Sequence, residues 1–505
     1  MHDESESSRR IRAGALTSYA AFAINVAYSL LYLPWIIGQV GPDDYGLYVL
    51  GLSMITIFLT DLGLGEAVAK FVSKRHSEGD EVGASNLVGI FFRLYLAFDA
   101  LIVCVLFVIY FQLARLYPAL SGEQLSSLKV IFVIAASAGL IGFPFLPLNG
   151  ILIAYERFSL LKGLDLVQRI VAVALITIAL VGGLGLYGLV LANAVSSLVV
   201  LGAKVFFVLR FLPVRPGLRG GMRSIVPEIL RFSMWTAVAV LAQLLVFNVS
   251  PSLIGAFSGA REIAVFGVAS SLEGYVYTLA ASLNGLFLPK VTRMAQSGGP
   301  RADGRMLALT IRVGRFQFVV LGAAVIAFLS FGQEFIRLWL EGQLSGVYAC
   351  AVLMIVPSFF YLPLQVANSA IIAHDLVRLQ AVVFLVMGVV NVLAVSFLAA
   401  RWGALGGSLG IFLAYTVRNV GMHAIYSRAL KLDLSTFYRK AFFPLLPVMV
   451  ATLLIGGLVN WALPGSGWGQ FVMKACSLMV AYGLLMWFVG VSEEERRWIR
   501  EFVVR

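Results

Sequence analysis

About fourteen apolar segments, each long enough to cross a bilayer, follow one another along this chain of 505 residues. A spanning helix needs about 20 apolar residues, and a lipid environment leaves backbone groups without water partners, so such segments fold as helices. Charged residues make up only 13% of the chain, against about 25% in soluble domains. The sequence therefore predicts an all-α integral membrane protein. Its helices are predicted at 13–38, 46–70, 87–112, 127–153, 160–182, 185–209, 229–256, 264–289, 307–331, 347–373, 376–400, 405–428, 440–461 and 469–491.

Lysine and arginine concentrate in every second connection between the apolar segments. An even number of spans returns both termini to one side, and the connections on that side carry most of the basic residues. The opposite connections hold little beyond Arg115, Arg261, Arg337 and Arg401. Because positive loops stay in the cytoplasm, this asymmetry predicts cytoplasmic termini. It also accounts for the net charge of +12 without a nucleic-acid partner, since no nucleic-acid-binding motif accompanies the basic residues.

Weak internal echoes recur at an offset of about 219 residues, which is typical of transporters built from a duplicated unit. Leu146-Pro147-Leu148 returns as Leu362-Pro363-Leu364, and Gly185–Gly188 returns as Gly403–Gly406. A further echo links the single residues Arg12, Thr17 and Gly46 to Arg231, Thr236 and Gly267. Six helices per repeat give both copies the same orientation, which predicts two six-helix bundles related by a pseudo-two-fold axis along the membrane normal.

The repeat also predicts where the chain divides. The N-terminal bundle is expected at 13–209 and the C-terminal bundle at 229–428, joined by a cytoplasmic linker at 210–228. Two additional transmembrane helices follow at 429–491, and cytoplasmic tails lie at 1–12 and 492–505. None of the connecting loops is long enough to hold a folded domain.

One stretch, Val40–Arg75, carries a distinctive combination of residues. Its marked positions are Gly41, Tyr45, Gly46, Tyr48, Asp61, Gly63, Lys70, Lys74 and Arg75. A turn of the G-x-x-x-Y-G-x-Y type, followed by a D-x-G motif and basic residues, resembles the polysaccharide-transporter branch of the multidrug/oligosaccharidyl-lipid/polysaccharide (MOP) flippase superfamily. Pro289-Lys290, near Arg293, is similar to a pattern of the same family.

This resemblance implies a flippase rather than an enzyme. Members of the Wzx-type O-antigen and exopolysaccharide branch move undecaprenyl-pyrophosphate-linked oligosaccharide from the cytoplasmic to the periplasmic leaflet of the bacterial inner membrane, by alternating access. The resemblance further implies membrane lipids, a polysaccharide polymerase and chain-length proteins as partners. It implies no bound cofactor, although a proton or sodium gradient is a candidate driving force.

Two related functions are the alternatives. Lipid II flippases usually carry an Arg-Asp pair early in the first helix, where Ser18–Ser29 of this chain holds no charge. Ion-coupled multidrug antiporters of the MATE type need acidic rather than basic groups in the cleft and typically have twelve helices. The excess of arginine in the inner part of the predicted spans argues against the antiporter, and the missing charge pair in the first helix argues against a lipid II flippase.

Four arginines inside predicted spans are candidate ligands for a pyrophosphate group: Arg93, Arg312, Arg315 and Arg418. A charge at the centre of a transmembrane helix costs about 2.5–3.5 kcal/mol on insertion scales, so each needs a reason to be there. Guanidinium groups bind phosphate bidentately, which favours a cationic inner cleft. The alternative is that these long side chains reach the cytoplasmic interface and only fix topology. That alternative is favoured for Lys162, Lys204 and Arg231, close to helix ends.

Three acids inside predicted spans are candidates for ion coupling: Asp61, Asp99 and Glu273. None has a basic neighbour three or four residues away, so each is a carboxyl that can exchange a proton in a low dielectric. The competing interpretation is structural, and for Asp61 it is the favoured one, because a carboxylate beside Gly63 is suited to hydrogen bonding. Asp165 and Arg169 are four apart and are expected to pair.

Three amides, Asn25, Gln243 and Asn248, are candidate contacts for sugar hydroxyls, and equally candidates for hydrogen bonds that hold helices together. The three cysteines and four histidines show no metal-binding spacing. We therefore predict neither a disulfide framework nor a metal site.

Overall fold

The computed structural model describes residues 30–217, 222–297, 300–374, 376–491 and 496, and the described chain is helical throughout its regular elements. In the N-terminal part the helices are α1 (Leu30–Val40), α2 (Pro42–Phe58), α3 (Leu64–Ser77), α4 (Glu81–Leu116), α5 (Gly122–Gly142), α6 (Pro147–Ala154), α7 (Phe158–Val181), α8 (Gly185–Phe211), α9 (Met222–Phe247) and α10 (Val249–Ser258). They continue as α11 (Ala260–Ser297), α12 (Pro300–Trp339), α13 (Val347–Tyr361), α14 (Gln365–Ala373), α15 (Val377–Ala424), α16 (Leu434–Ala441), α17 (Leu446–Ala462) and α18 (Trp468–Leu485).

This architecture confirms the all-α membrane fold class. Within the described residues, ten helical stretches are long and apolar enough to cross a membrane, or eleven if α16 and α17, bent by 47°, form one span. Most of the predicted spans from the third to the fourteenth lie within a single helix, whereas the second, fourth, seventh, tenth and thirteenth each run across two successive helices. The first predicted span, 13–38, lies mostly outside the described residues, and α1 covers its end.

The second predicted span, 46–70, is broken rather than continuous. Helix α2 ends at Phe58, and α3 begins at Leu64 after a turn that contains Gly63 at a left-handed φ of 80°. The Asp61 carboxylate accepts the backbone N–H groups of Leu64 (2.8 Å) and Gly65 (2.9 Å). These bonds satisfy the free donors at the start of α3, which explains how a helix can restart inside an apolar run.

Local conformations support the predicted repeat. A 3-10 turn at Phe143–Phe145 separates α5 from α6, and another at Leu362–Leu364 separates α13 from α14. Proline occurs at both turns and cannot donate the hydrogen bond that would continue a helix. The first turn lies three residues before Leu146-Pro147-Leu148, so that predicted echo does not mark the structurally equivalent residues. Gly185 and Gly403, which the sequence does pair, have nearly equal positive φ values of 52° and 54°. These conformations support the repeat, whereas the bundle boundaries at 209 and 229 stay a prediction.

The chain forms two compact units. The first unit comprises Trp35–Gly267 and Phe384–Gly410, and the second comprises Met1–Pro34, Val268–Val383 and Ile411–Arg505. Large aromatic and aliphatic side chains, including Phe91, Tyr95 and Ile151, form a buried core in the first unit. In the second unit Phe318 packs against Phe359 and Phe442 with ring centroids 5.4 and 5.0 Å apart.

Helix α16 has its own N-terminal cap outside the spanning segments. The Asp433 carboxylate accepts the Thr436 hydroxyl (2.6 Å) and the Thr436 backbone N–H (3.0 Å). These bonds hold the pKa of Asp433 below its usual value, so the carboxylate stays charged at neutral pH. A charged cap fixes the entry of the chain into the bent pair α16 and α17.

Gly46 lies where α2 and α11 approach closely within the first unit. A Cβ atom at this position would overlap the carbonyl oxygen of Ala260. We expect Gly46→Ala to destabilise the protein by about 1–3 kcal/mol, because the backbone of α11 cannot yield as a side chain would. Gly457→Ala is the matched control, since a Cβ there has nothing within 4 Å. A lower melting temperature for the first variant alone, in detergent-purified protein, is the expected result, and equal melting temperatures would contradict it.

Candidate functional site

The second unit buries one of the predicted arginines among aromatic rings. Arg418 on α15 is 6% exposed, and its guanidinium carbon lies 3.9 Å from the ring centroid of Tyr361 and 4.0 Å from that of Tyr415. Tyr415 precedes Arg418 by three residues and so shares its helix face. Two cation–π contacts in a desolvated site stabilise the charge and fix the orientation of the guanidinium.

One edge of this guanidinium is chemically unsatisfied. The Nε and Nη2 atoms of Arg418 are buried and have no hydrogen-bond partner within the described part of the chain. These two N–H groups point the same way and form the fork that binds carboxylate or phosphate oxygens in pairs. Buried donors without acceptors are costly in free energy, so this edge of the guanidinium indicates a binding site for an anion.

A buried carboxyl lies close enough to Arg418 for the two charges to interact. Glu273 on α11 is 4% exposed, and the hydroxyl of Ser358 on α13 donates to its Oε1 over 2.6 Å. The charge of Arg418 acts on the Glu273 carboxyl and on Tyr415. The two residues that the sequence suggested for different roles, anion binding and ion coupling, therefore belong to one cluster. We call Glu273, Ser358, Tyr361, Tyr415 and Arg418 the Arg418 cluster.

The neighbouring arginines of the second unit are placed differently. Arg312 on α12 is exposed. Arg315 donates from Nη1 to the carbonyl of Lys440 (2.7 Å) and from Nη2 to the carbonyl of Gly490 (2.5 Å). Both carbonyls lie at or just beyond the C-terminal ends of helical segments, where backbone acceptors lack intrahelical partners. These contacts give Arg315 a structural function, although its role in binding stays a prediction.

Arg93, Asp61 and Asp99 belong to the first unit. The Nε of Arg93 donates to the carbonyl of Gly89 (3.1 Å), one turn earlier on α4. The hydroxyl of Tyr95 donates to Asp61 (3.1 Å), which also caps α3. Asp99 is half-buried on α4, and its Oδ1 has no partner among the described residues. The hydrogen bonds from Leu64 and Tyr95 thus support a structural function for Asp61.

The predicted sugar contacts are dispersed. Asn25 lies outside the described residues. Gln243 is exposed on α9, and Asn248 donates to the carbonyl of Ser53 on α2 over 3.5 Å. The last contact supports the alternative in which Asn248 links helices rather than binding sugar.

Sequence reasoning missed a half-open cavity in the first unit, which we call the polar cavity because six polar side chains interrupt its mainly apolar wall. The cavity has a volume of about 350 Å³, and α2, α5, α6, α7, α8 and the 3-10 turn line it. Its polar side chains are Thr56, Asn149, Gln168, Asn193, Ser197 and Lys204. The side chain of Lys204 is only 13% exposed and donates to Asn149 Oδ1 (3.0 Å) and Asp165 Oδ1 (3.4 Å). Lys204 therefore points inward rather than to the interface. Asp165 contacts Lys204 and Lys162, and its expected pairing with Arg169 stays a prediction.

The contacts of Asp61 predict that its function is to cap α3 rather than to exchange a proton. Asp61→Asn keeps a side-chain oxygen for the N–H groups of Leu64 and Gly65, whereas Asp61→Ala removes it. We expect the alanine variant to lose about 1–2 kcal/mol of stability and the asparagine variant to stay close to the wild type in both stability and transport. Thermal unfolding and a transport assay on the same preparations check this. Full stability with lost transport in Asp61→Asn would show instead that the carboxyl exchanges an ion.

The described helices define a polytopic all-α membrane protein, and solved structures share its fold. The lipid II flippase MurJ in an inward closed conformation aligns with a TM-score of 0.72 at 12% identity, over 92% of this chain and 97% of MurJ. A multidrug resistance MATE transporter of the MOP superfamily, in an inward-facing conformation, gives 0.66 at 17% identity, over 80% and 95% of the two chains. The Vibrio cholerae MATE transporter VcmN gives 0.56 at 15% identity, over 85% and 98%.

Residues 12–294 match the family described as polysaccharide biosynthesis protein. This match covers more than half of the chain, and the chain belongs to that family. A search of curated protein sequences gives no match. The resemblance inferred from Val40–Arg75 is thereby confirmed at the level of the family, and the MOP-type fold agrees with it.

Proposed function

We propose that this protein is a flippase that moves undecaprenyl-pyrophosphate-linked oligosaccharide from the cytoplasmic to the periplasmic leaflet, for surface polysaccharide biosynthesis. Membership of a polysaccharide-biosynthesis family and a MOP-type fold support this proposal. The protein works by alternating access and carries out no covalent chemistry. Its substrate is an amphipathic lipid, and membrane lipids are its constant partners.

The observation that carries the proposal is the unsatisfied fork of Arg418. A permanently charged, 94% buried guanidinium with two free N–H donors is suited to an anion that arrives during the transport cycle. The pyrophosphate group is the part of the substrate with that charge and geometry. Drug cations would be repelled by the same group, which disfavours the multidrug alternative.

Glu273 supplies a way to make that binding reversible. The Glu273 carboxylate offsets part of the charge of Arg418, and protonation of the carboxyl removes that compensation, which strengthens the attraction of Arg418 for phosphate. A proton gradient that protonates Glu273, or a sodium ion that binds its carboxylate, then drives the transport cycle. Arg93, Arg312 and Arg315 are secondary candidates for phosphate contacts, and Asp99 for ion coupling.

The charge asymmetry of the loops supports a location in the bacterial inner membrane with both termini in the cytoplasm. In that orientation the substrate is synthesised and bound by the flippase on the same, cytoplasmic side of the membrane. The glycan would then be delivered to a periplasmic polymerase and to chain-length proteins.

Deletion of the gene tests the function directly. We expect lipid-linked oligosaccharide to accumulate in the inner leaflet and to disappear from the periplasmic one, with recovery when the wild-type chain is supplied. Leaflet position is measured by accessibility of the glycan to a membrane-impermeant lectin in spheroplasts. Normal periplasmic exposure of the glycan in the deletion strain would contradict the proposal.

A further inference from the structure

The polar cavity of the first unit is open on one side and lies among membrane-spanning helices, where unsatisfied polar groups are costly. Its volume of about 350 Å³ falls at the lower end of the range for small-ligand pockets, about 300–1,000 Å³. Phe143, Phe145 and Leu146 form part of its apolar wall. Gly142 also lines it, and a Cβ at Gly142 would meet nothing within 4 Å. The cavity is therefore an open space with a mixed wall, not a packing defect closed by neighbouring side chains.

The side chains of the cavity retain both donors and acceptors after their mutual bonds are made. Lys204 uses two of its three N–H donors, and the amide N–H groups of Asn149 have no partner among the described residues. Gln168 donates to Ser197 (3.2 Å), and Asn193 donates to Tyr48, which leaves the two amide oxygens of Gln168 and Asn193 as acceptors. Along α8, Asn193 and Lys204 are about 16 Å apart, so these groups are spread over the length of the cavity.

This arrangement discriminates between ligand classes. A simple anion would use donors only, and Lys204 already has Asp165 as a counter-charge. A metal cation would use acceptors only and would be repelled by Lys204. A sugar hydroxyl is both donor and acceptor, and a pyranose ring also presents apolar C–H groups to walls such as Phe143 and Phe145. A polyhydroxylated ring is the ligand that matches both the mixed donors and acceptors and the apolar wall of the cavity.

We propose that this cavity binds a sugar unit of the transported glycan, with Gln168 and Asn193 accepting hydrogen bonds from hydroxyls and Asn149 and Lys204 donating to them. This inference rests on the proposed function and names the part of the substrate that the first unit recognises. It moves the sugar contacts from Asn25, Gln243 and Asn248 to four side chains that share one cavity.

The test compares two lipids on the purified full-length chain in lipid nanodiscs. One lipid is the glycolipid extracted from cells that lack this chain, and the other is undecaprenyl pyrophosphate without sugar. The double variant Gln168→Leu/Asn193→Leu removes the two acceptors, and Gly142→Leu fills the cavity without touching them. Gln112→Leu and Gly163→Leu are the matched controls, because neither residue lines the cavity and a Cβ at Gly163 meets nothing within 4 Å.

We expect Kd for the glycolipid to rise about tenfold in the double variant, the factor for losing two neutral hydrogen bonds. A rise of about the same size is expected in Gly142→Leu, because the added side chain occupies the space of the sugar. Kd for undecaprenyl pyrophosphate should stay unchanged in every variant. An unchanged Kd for the glycolipid, or equal losses for both lipids, overturns the inference while leaving a flippase intact. Failure of the wild-type chain to bind either lipid overturns the proposed function itself.

A second measurement does not depend on the folding of those variants. Ser197→Cys, in a chain whose native cysteines Cys104, Cys350 and Cys476 are replaced, places a thiol in the cavity. We expect the glycolipid to slow its labelling by a small methanethiosulfonate at least fivefold and undecaprenyl pyrophosphate to leave the rate unchanged. Equal labelling rates with both lipids would overturn the inference.

Discussion

Replacing Arg418 with lysine is expected to lower the rate of glycolipid transport about a hundredfold while leaving the protein folded. Lysine keeps the positive charge beside Glu273 and the contact with the rings of Tyr361 and Tyr415. It has no fork, so two charge-assisted hydrogen bonds to a phosphate, each worth about 1.5–3 kcal/mol, cannot form together. Transport by reconstituted protein in liposomes, measured as the initial rate per folded molecule, gives the comparison.

The control for this substitution is Arg401→Lys. Arg401 also lies over an aromatic ring, 4.4 Å from Phe397, but it is exposed rather than buried. We expect its transport rate to stay within about twofold of the wild type, since exposed cation–π contacts contribute only about 0.5–1 kcal/mol. If Arg418→Lys transported as fast as Arg401→Lys, the fork would not be the phosphate ligand.

The second large effect is expected from Lys474→Met, which should destabilise the protein by about 3–5 kcal/mol. Lys474 on α18 is 2% exposed and donates to Glu334 Oε2 (2.8 Å), Asn460 Oδ1 (3.1 Å) and the Gly465 carbonyl (3.3 Å). Removing the ammonium leaves the Glu334 carboxylate buried without a counter-charge. The loss should appear as a lower melting temperature and early release of α17 and α18 to proteolysis.

Two controls separate the ion pair from the loss of a lysine. The double variant Lys474→Met/Glu334→Met removes both charges and should recover most of the lost stability. Lys162→Met breaks an exposed pair with Asp165, at 3.8 Å, and should cost less than about 1 kcal/mol. Equal losses for the single and double variants would mean that packing of the lysine stem, not the charge pair, holds α18 in place.

The spanning helices could be predicted because the bilayer requires each span to have a minimum length and an apolar composition. Both are averages over many residues, so a single polar residue does not obscure them. Hydropathy placed the helices that the described residues form, yet it gave no sign of the break between Phe58 and Leu64. That break depends on a specific set of bonds to Asp61 and on the left-handed backbone at Gly63, which an average over about 19 residues removes.

The candidate site could be predicted only in part. Isolated charges such as Glu273 and Arg418 stand out in apolar helices, so the sequence identified both. Their common cluster depends on three helices meeting, and contacts between residues 85 apart, such as Ser358 with Glu273, leave no periodic signal. Lys204 was misread because a cation near a helix end normally reaches the interface, whereas Asn149 and Asp165 hold it inside.

Transport of lipid-linked oligosaccharide across a bilayer is the activity on which the proposed roles of Arg418 and of the polar cavity depend. The most direct measurement reconstitutes the purified chain in liposomes that contain the extracted glycolipid in both leaflets and follows protection of the glycan from an external glycosidase. We expect wild-type protein to expose the inner pool to complete digestion within minutes, whereas with Arg418→Lys about half of the total glycolipid stays protected over the same time. Continued protection of half of the glycolipid in wild-type liposomes, under an imposed proton or sodium gradient of either direction, would contradict it.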